Sequence, residues 1–145
     1  MREILFRGKS IHGEWFYGYL NQHRGDIRYD CDCEPIAGGC YYINDWQAKI
    51  DTGMYGQDYK VDPDTVGQFT GLTDRNGTKI FEGDIVQHED VVSYIVWNPD
   101  NLRFEFAYKG NFRESIRAKL ATVWGIEIIG NIYDNPKLLE VNSDE

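Results

Sequence analysis

Three cysteines and three acids crowd one stretch of the chain. It reads Asp30-Cys31-Asp32-Cys33-Glu34, with Cys40 seven residues beyond Cys33. Thiolates and carboxylates together can ligate a metal ion. Zinc knuckles, however, place about two to four residues between paired cysteines, where this chain has one. The stretch therefore reads as an acidic loop with free thiols, and no metal or other cofactor is assigned. The histidines are His12, His23 and His88, and no two of them share metal-motif or helical spacing. His12 stands two residues before Glu14, and His88 precedes Glu89-Asp90, so either can serve as a general base held by a carboxylate. The plainer reading makes all three turn residues. Glu82 and Asp84 bracket Gly83, with Asp74 across a turn. Such acids can hold a divalent cation or share a proton. An Asp beside a tight turn also bonds backbone amides, and that structural role is the expectation here. Gly67-Gln68-Phe69-Thr70-Gly71 and Gly38-Gly39 match neither a phosphate loop nor a dinucleotide fingerprint, so they read as turns and bulges. No catalytic residue is assigned, and the chain leans away from being an enzyme.

Two segments carry surface chemistry instead. The first is Arg103-Phe104-Glu105-Phe106-Ala107-Tyr108-Lys109, continuing to Arg113, Arg117 and Lys119. On a strand, its rings share one face and its charges the other. Exposed rings beside cations stack single-stranded bases, whereas clean alternation marks a strand facing a core. The second is Glu14-Trp15-Phe16-Tyr17-Gly18-Tyr19-Leu20, where Trp15, Tyr17 and Tyr19 share a face. Trp and Tyr carry much of the energy of protein interfaces. The candidate interaction surface is thus Trp15, Tyr17, Tyr19, Arg103, Lys109, Arg113 and Arg117.

These residues need strands to position them, and the sequence supplies strand signals throughout. Strands are expected over 3–7, 14–20, 26–29, 40–43, 79–81, 85–88, 91–97, 103–108 and 127–133, with a clearer region opening at 65–70. Asn76-Gly77 is the strongest short hairpin signal and predicts a type I′ turn. Glu82-Gly83-Asp84 is a second tight turn. Gly71, Asn76, Gly77, Gly83, Asp84 and Gly130 are the expected structural turn positions. Phe112, Ile116, Leu120 and Val123 fall on helical spacing, which allows one short helix. Asn135-Pro136 predicts a capped single turn over 137–139.

With 145 residues, the chain is long enough to bury a core without disulfide or metal. Its net charge is −9, which disfavours binding nucleic acid or a membrane surface by bulk charge. The charge is uneven. Residues 30–64 hold eight acids against two bases, while 101–120 hold five bases against two acids. No apolar run approaches the ~20 residues that span a bilayer. Three cysteines fit a reducing compartment, so a cytoplasmic location is expected.

One long stretch is not generic. Val66-Gly67-Gln68-Phe69-Thr70-Gly71-Leu72-Thr73-Asp74-Arg75-Asn76-Gly77-Thr78-Lys79-Ile80-Phe81-Glu82-Gly83-Asp84-Ile85-Val86 resembles the signature of the YopX family of bacteriophage and prophage proteins. The opening Met1–Gly8 and Gly13–Leu20 agree with it, as does the ending Glu127–Leu139. Residues 24–60 carry no family pattern. The resemblance implies a phage-encoded, largely β protein without an assigned activity or catalytic residues. The Glu82–Val86 turn also looks like the one that leads into SH3-like barrels, a likeness of fold that does not give function.

The expected fold is mostly β with a minor α+β character. Residues 1–62 would form an N-terminal β-rich part with an acidic loop region over 30–64. Residues 63–145 would form an SH3-like or curled-barrel part ending in a short helical turn. The expected function is a non-enzymatic protein-interaction module, with an unknown host or phage protein, or a second copy of the chain, as partner. The alternative is a nucleic-acid-binding module using 103–119, possible but not favoured. No membrane partner is expected.

Overall fold

Alternating polar and apolar residues suit a chain to a sheet whose two faces differ. The computed structural model describes residues 3–23, 40–44, 58–109, 112–116 and 125–140. Eleven β-strands lie among them with two short 3-10 turns, and every strand pairing is antiparallel. The chain is mostly β, as its alternation predicts. It divides into two compact units, Met1–Gln68 and Phe69–Glu145.

In the first unit β1 (Phe6–Lys9), β2 (Trp15–His23), β3 (Cys40–Asn44) and β4 (Asp58–Val61) follow the order β4-β3-β2-β1. Gly67 and Gln68, which open β5 (Gly67–Thr73), pair with Arg7 and Phe6. The register places Leu20, Ile43 and Tyr59 in one row, with Ile43 fully buried. This sheet curls. Asp62 N–H donates to the Lys9 carbonyl at 2.8 Å, and Lys9 N–H donates to Thr65 Oγ1 at 2.9 Å. The end of β4 and the 3-10 turn Pro63–Thr65 thereby return to β1. Strand β4 corrects the expectation of loops through this region. Asp58-Tyr59-Lys60-Val61 alternates, but four residues are too few to stand out among Gly, Asp and Asn. Asp26–Tyr29, Cys31, Cys33 and Gly38-Gly39 lie outside the described residues.

In the second unit the rest of β5 pairs with β6 (Lys79–Phe81). Strands β7 (Asp84–His88), β8 (Val91–Asn98), β9 (Arg103–Ala107), β10 (Arg113–Ser115) and β11 (Glu127–Asn131) form a sheet in the order β10-β9-β8-β7-β11. Its core joins Ile80, Val86, Ile95, Phe106, Ile116 and Ile126, with Leu72, Phe104, Tyr108 and Ile128 packed against them. Among the described residues this sheet does not close into a barrel. Strand β11 comes back beside β7, at the edge opposite β10, and no pairing among the described residues joins the two edges. The helical spacing from Phe112 does not hold over the described start of that stretch. Residues 113–115 pair with β9, so a sheet partner overrides a local helical pattern. Leu120 and Val123 lie outside the described residues.

The Asn76-Gly77 hairpin forms, but with a different turn. Gly77 N–H donates to the Asp74 carbonyl at 3.0 Å, and Asp74 N–H donates to the Thr78 carbonyl at 2.8 Å. Gly77 has φ 81°, whereas Asn76 is not in the left-handed region. This is a type I turn closed by a glycine bulge, in place of type I′. At the next turn, Asp84 Oδ2 accepts the Phe81 amide at 2.7 Å. Gly83, at φ 91°, donates to the Ile95 carbonyl and accepts from Ile132. Pro136–Leu139 forms the expected single turn without an Asn135 side-chain cap. The Asn135 Oδ1 instead accepts from Asn131 N–H at 3.3 Å.

Candidate functional site

Residue alternation along β2 sends Trp15, Tyr17 and Tyr19 to one face, with Arg7 and Lys9 of β1 on the same face by register. The three rings are not equivalent there. Arg7 is 4% exposed, and its guanidinium lies 4.9 Å from the centre of the half-buried Trp15 ring. A cation over an indole face is attractive, more so when desolvated, so Trp15 is held in place. Tyr17 and Tyr19 are 48% and 50% exposed.

The opposite side of β2 builds a cleft. Phe16 stacks on Tyr59 of β4, with ring centres 4.0 Å apart and planes 6° from parallel. The β1–β2 turn stands beside this stack and is ordered by one serine. Ser10 Oγ accepts from the amides of His12 and Glu14, while Ser10 N–H donates to the Glu14 carbonyl at 2.8 Å. At the edge of β4, Asp58 Oδ1 accepts from the amides of Asn44 at 2.9 Å and Asn21 at 3.4 Å. Between turn and strand lies a space of about 440 Å³, lined by Ile11, His12, Glu14, Phe16, Asp58, Tyr59 and Lys60 among others. That volume falls within the usual range for ligand clefts, roughly 300–1,000 Å³. It offers aromatic surface with charges at the rim. In the sequence His12 reads as a turn residue or as a general base beside Glu14, and nothing there marks Asp58, Tyr59 or Lys60 as site residues. The one signal available was the alternation of residues 58–61.

Segment 103–119 is arranged otherwise. Phe106 is buried, and Phe104 and Tyr108 pack against the same core. Arg103 and Arg113 act on a buried acid. Glu105 accepts from Arg103 Nε at 2.8 Å and from Asn98 Nδ2 at 2.9 Å, with its side chain 3% exposed. The Asn98 bond first, and then the Arg103 bond, hold this carboxyl below the ordinary carboxylate range despite burial. Arg113 adds attraction from β10. Lys109 and Arg113 are exposed, and Arg117 lies outside the described residues.

His88 helps line a small space of about 50 Å³ with Val86, Val91, Ser93, Phe106, Tyr108 and Ile126. The side chains of His23 and Cys40 lie outside what the structure describes. Asp74 Oδ1 holds the amides of Asn76 and Thr78, each at 2.9 Å, while Asp84 bonds its own turn. Among the described residues no three His, Cys, Asp or Glu side chains form a metal-holding group. Among them, too, no helix is long and apolar enough to cross a membrane.

Comparison with known proteins adds a family. No curated protein matches the chain. The family described as YopX protein matches residues 12–140. That span runs from the β1–β2 turn at the cleft to the end of the last 3-10 turn, and takes in the hairpin and strands β2 to β11. The chain therefore belongs to the YopX protein family.

Proposed function

We propose that the protein is a non-enzymatic interaction module that binds a partner protein through the β2 face of its first unit. The observation that carries this reading is the pair Tyr17 and Tyr19. They stand half-exposed on adjacent same-face positions of a paired strand, next to a Trp15 braced by Arg7. Rigid strand-borne rings cost little entropy to order on binding, and Tyr is enriched where interface energy concentrates. The family resemblance supports a bacteriophage or prophage source, a host cytoplasm, and a host or phage protein as partner. A nucleic-acid reading draws less support, because the rings of segment 103–108 are spent on the core and Arg103 on Glu105.

The test compares wild type with a Tyr17→Ser/Tyr19→Ser double variant in affinity capture from a bacterial host lysate. Each retained protein is then measured with purified components. The expected result is a partner whose affinity falls by about tenfold or more in the double variant, with the far-UV spectrum unchanged. Equal binding by both proteins overturns the reading. Sedimentation of both proteins decides whether the partner is a second copy of the chain.

A further inference from the structure

We propose that the outer edge of β4 takes up an extended segment of a partner protein as an added antiparallel strand. Strand β4 ends its sheet, and no strand among the described residues pairs with its outer side. One bond fixes the direction of its backbone groups. Asp62 N–H points outward, to the Lys9 carbonyl of β1. Asp62 is extended like the strand before it, at φ −68° and ψ 120°. In an extended chain the N–H and C=O of every second residue point to the same side. Lys60 and Asp58 therefore turn their N–H and C=O groups outward too. The Asp62–Lys9 bond closes the curl at one end, and beyond it the β1–β2 turn and β4 part to leave the cleft of about 440 Å³. The outward groups of Asp58 and Lys60 thus face a space with room for a chain. An open edge of this kind is a template for another strand.

The side chains of the edge name the kind of segment. Asp58 and Lys60 are exposed on one face of the sheet, while Tyr59 stacks with Phe16 on the other. An antiparallel partner meets Lys60, Tyr59 and Asp58 in that order. Opposite charges directly across a strand pair attract, and like charges repel. The partner's first residue, across from Lys60, is then acidic, and its third, across from Asp58, is basic. The residue between them points to the side of Phe16 and Tyr59, where Ile11 of the turn also lines the cleft and is 85% exposed. An apolar side chain fits there, so the pattern is acidic, apolar, basic. The occupant is a single segment, because the β1–β2 turn bounds the cleft on its far side. The β4 of a second copy would carry its own sheet into that turn. This edge is a site beyond the Tyr17–Tyr19 face, and the proposal does not rest on that reading.

The experiment titrates the full chain with the blocked peptide Thr-Thr-Glu-Leu-Lys-Thr-Thr, followed by amide NMR. An added strand should shift the amides of Asp58 and Lys60 and slow their hydrogen exchange. A methyl group on the backbone nitrogen of the peptide's Lys removes a donor that faces β4, and should cost about tenfold in affinity. The same methyl on the Leu nitrogen, which faces away from β4, should cost less. Thr-Thr-Lys-Leu-Glu-Thr-Thr reverses both charge pairs and should bind about fivefold more weakly. Lys60→Glu should turn the preference round at its pair, so that Thr-Thr-Lys-Leu-Lys-Thr-Thr binds it better than the first peptide does. Equal binding of the two methylated peptides, shifts centred away from residues 58–60, or a charge preference that Lys60→Glu leaves unchanged each overturns the proposal. So do Asp58 and Lys60 amides that are protected in the free chain and lose protection on dilution, since a second copy then holds the edge.

Discussion

Asp74 and Ile128 lie 54 residues apart in the chain, and the Asp74 carboxylate accepts the Ile128 amide at 3.1 Å. The same carboxylate holds Asn76 and Thr78, so one side chain ties the β5–β6 hairpin to β11. Asp74 is only 6% exposed. Arg75 N–H reinforces the tie by donating to the Ile126 carbonyl at 2.9 Å. Removing the carboxylate leaves three amides to find new partners. Asp74→Ala should destabilise the protein by about 3 kcal/mol, at about 1 kcal/mol or more for each amide. Asp74→Asn keeps one acceptor oxygen and should cost less. Urea denaturation of the three proteins checks the order, and an Asp74→Ala midpoint equal to wild type refutes the tie.

Turn type at Asn76-Gly77 separates two neighbours that the dipeptide motif treats alike. Type I′ needs left-handed backbone at both residues, whereas a type I turn with a glycine bulge needs it only at the second. Gly77 is at φ 81° with open space where a Cβ would stand, so Ala there meets backbone strain and no clash. Gly77→Ala should cost about 1 kcal/mol. Asn76→Ala should stay within about 0.5 kcal/mol of wild type, as a surface change does. Thermal melts of both variants decide the matter. A large loss at Asn76 would restore the type I′ assignment.

Why the hairpin was legible while its turn was not shows where sequence reading succeeds. Strands β7, β8 and β9 announce themselves because Val91–Asn98 and Arg103–Ala107 alternate over enough residues to define a face. The burial of Phe106 follows from that pattern, and so does the resemblance-bearing stretch 66–86 as a paired hairpin. Strand β10 was not legible, since three residues hold no period and only their pairing to Ala107, Phe106 and Glu105 makes them a strand. The cleft was still less so. Phe16 and Tyr59 meet across 43 positions of sequence, and nothing local to either residue signals the other. In the sequence Asp74 reads as a turn acid across the Asn76-Gly77 hairpin from Glu82 and Asp84, because its partner Ile128 comes from a strand far along the chain.

Glu105 should make part of the stability depend on pH. Its carboxyl sits below the ordinary range through Asn98 and then Arg103. A lowered folded pKa means that the unfolded chain binds the proton more readily. The contribution is therefore present above the ordinary carboxylate pKa and fades as pH falls through the folded value. Glu105→Gln removes the titration. The melting temperatures of wild type and Glu105→Gln should differ most near pH 7 and converge once the pH has fallen below the folded value. A gap that stays constant over this interval would show that the bonds do not depend on the charge.

Gly8 and Val61 bring β1 and the end of β4 together, and the contact leaves no room for a methyl group. An added Cβ at Gly8 would lie 2.7 Å from Val61 Cγ2 and 2.8 Å from its Cβ. Val61 is 3% exposed, and a β-branched side chain has little rotamer freedom with which to move aside. Strand separation is the alternative, and it would stretch the Asp62–Lys9 bond that closes the curl. Gly8→Ala should cost about 1–3 kcal/mol, the range for overpacking a filled site. Val61→Ala alone should also destabilise, by leaving a cavity. Combined, the two changes should cost less than the sum of the single effects, because each makes room for the other. Chemical denaturation of the four proteins closes this cycle. Strict additivity would mean that the two residues do not meet and that the first sheet does not curl onto β1.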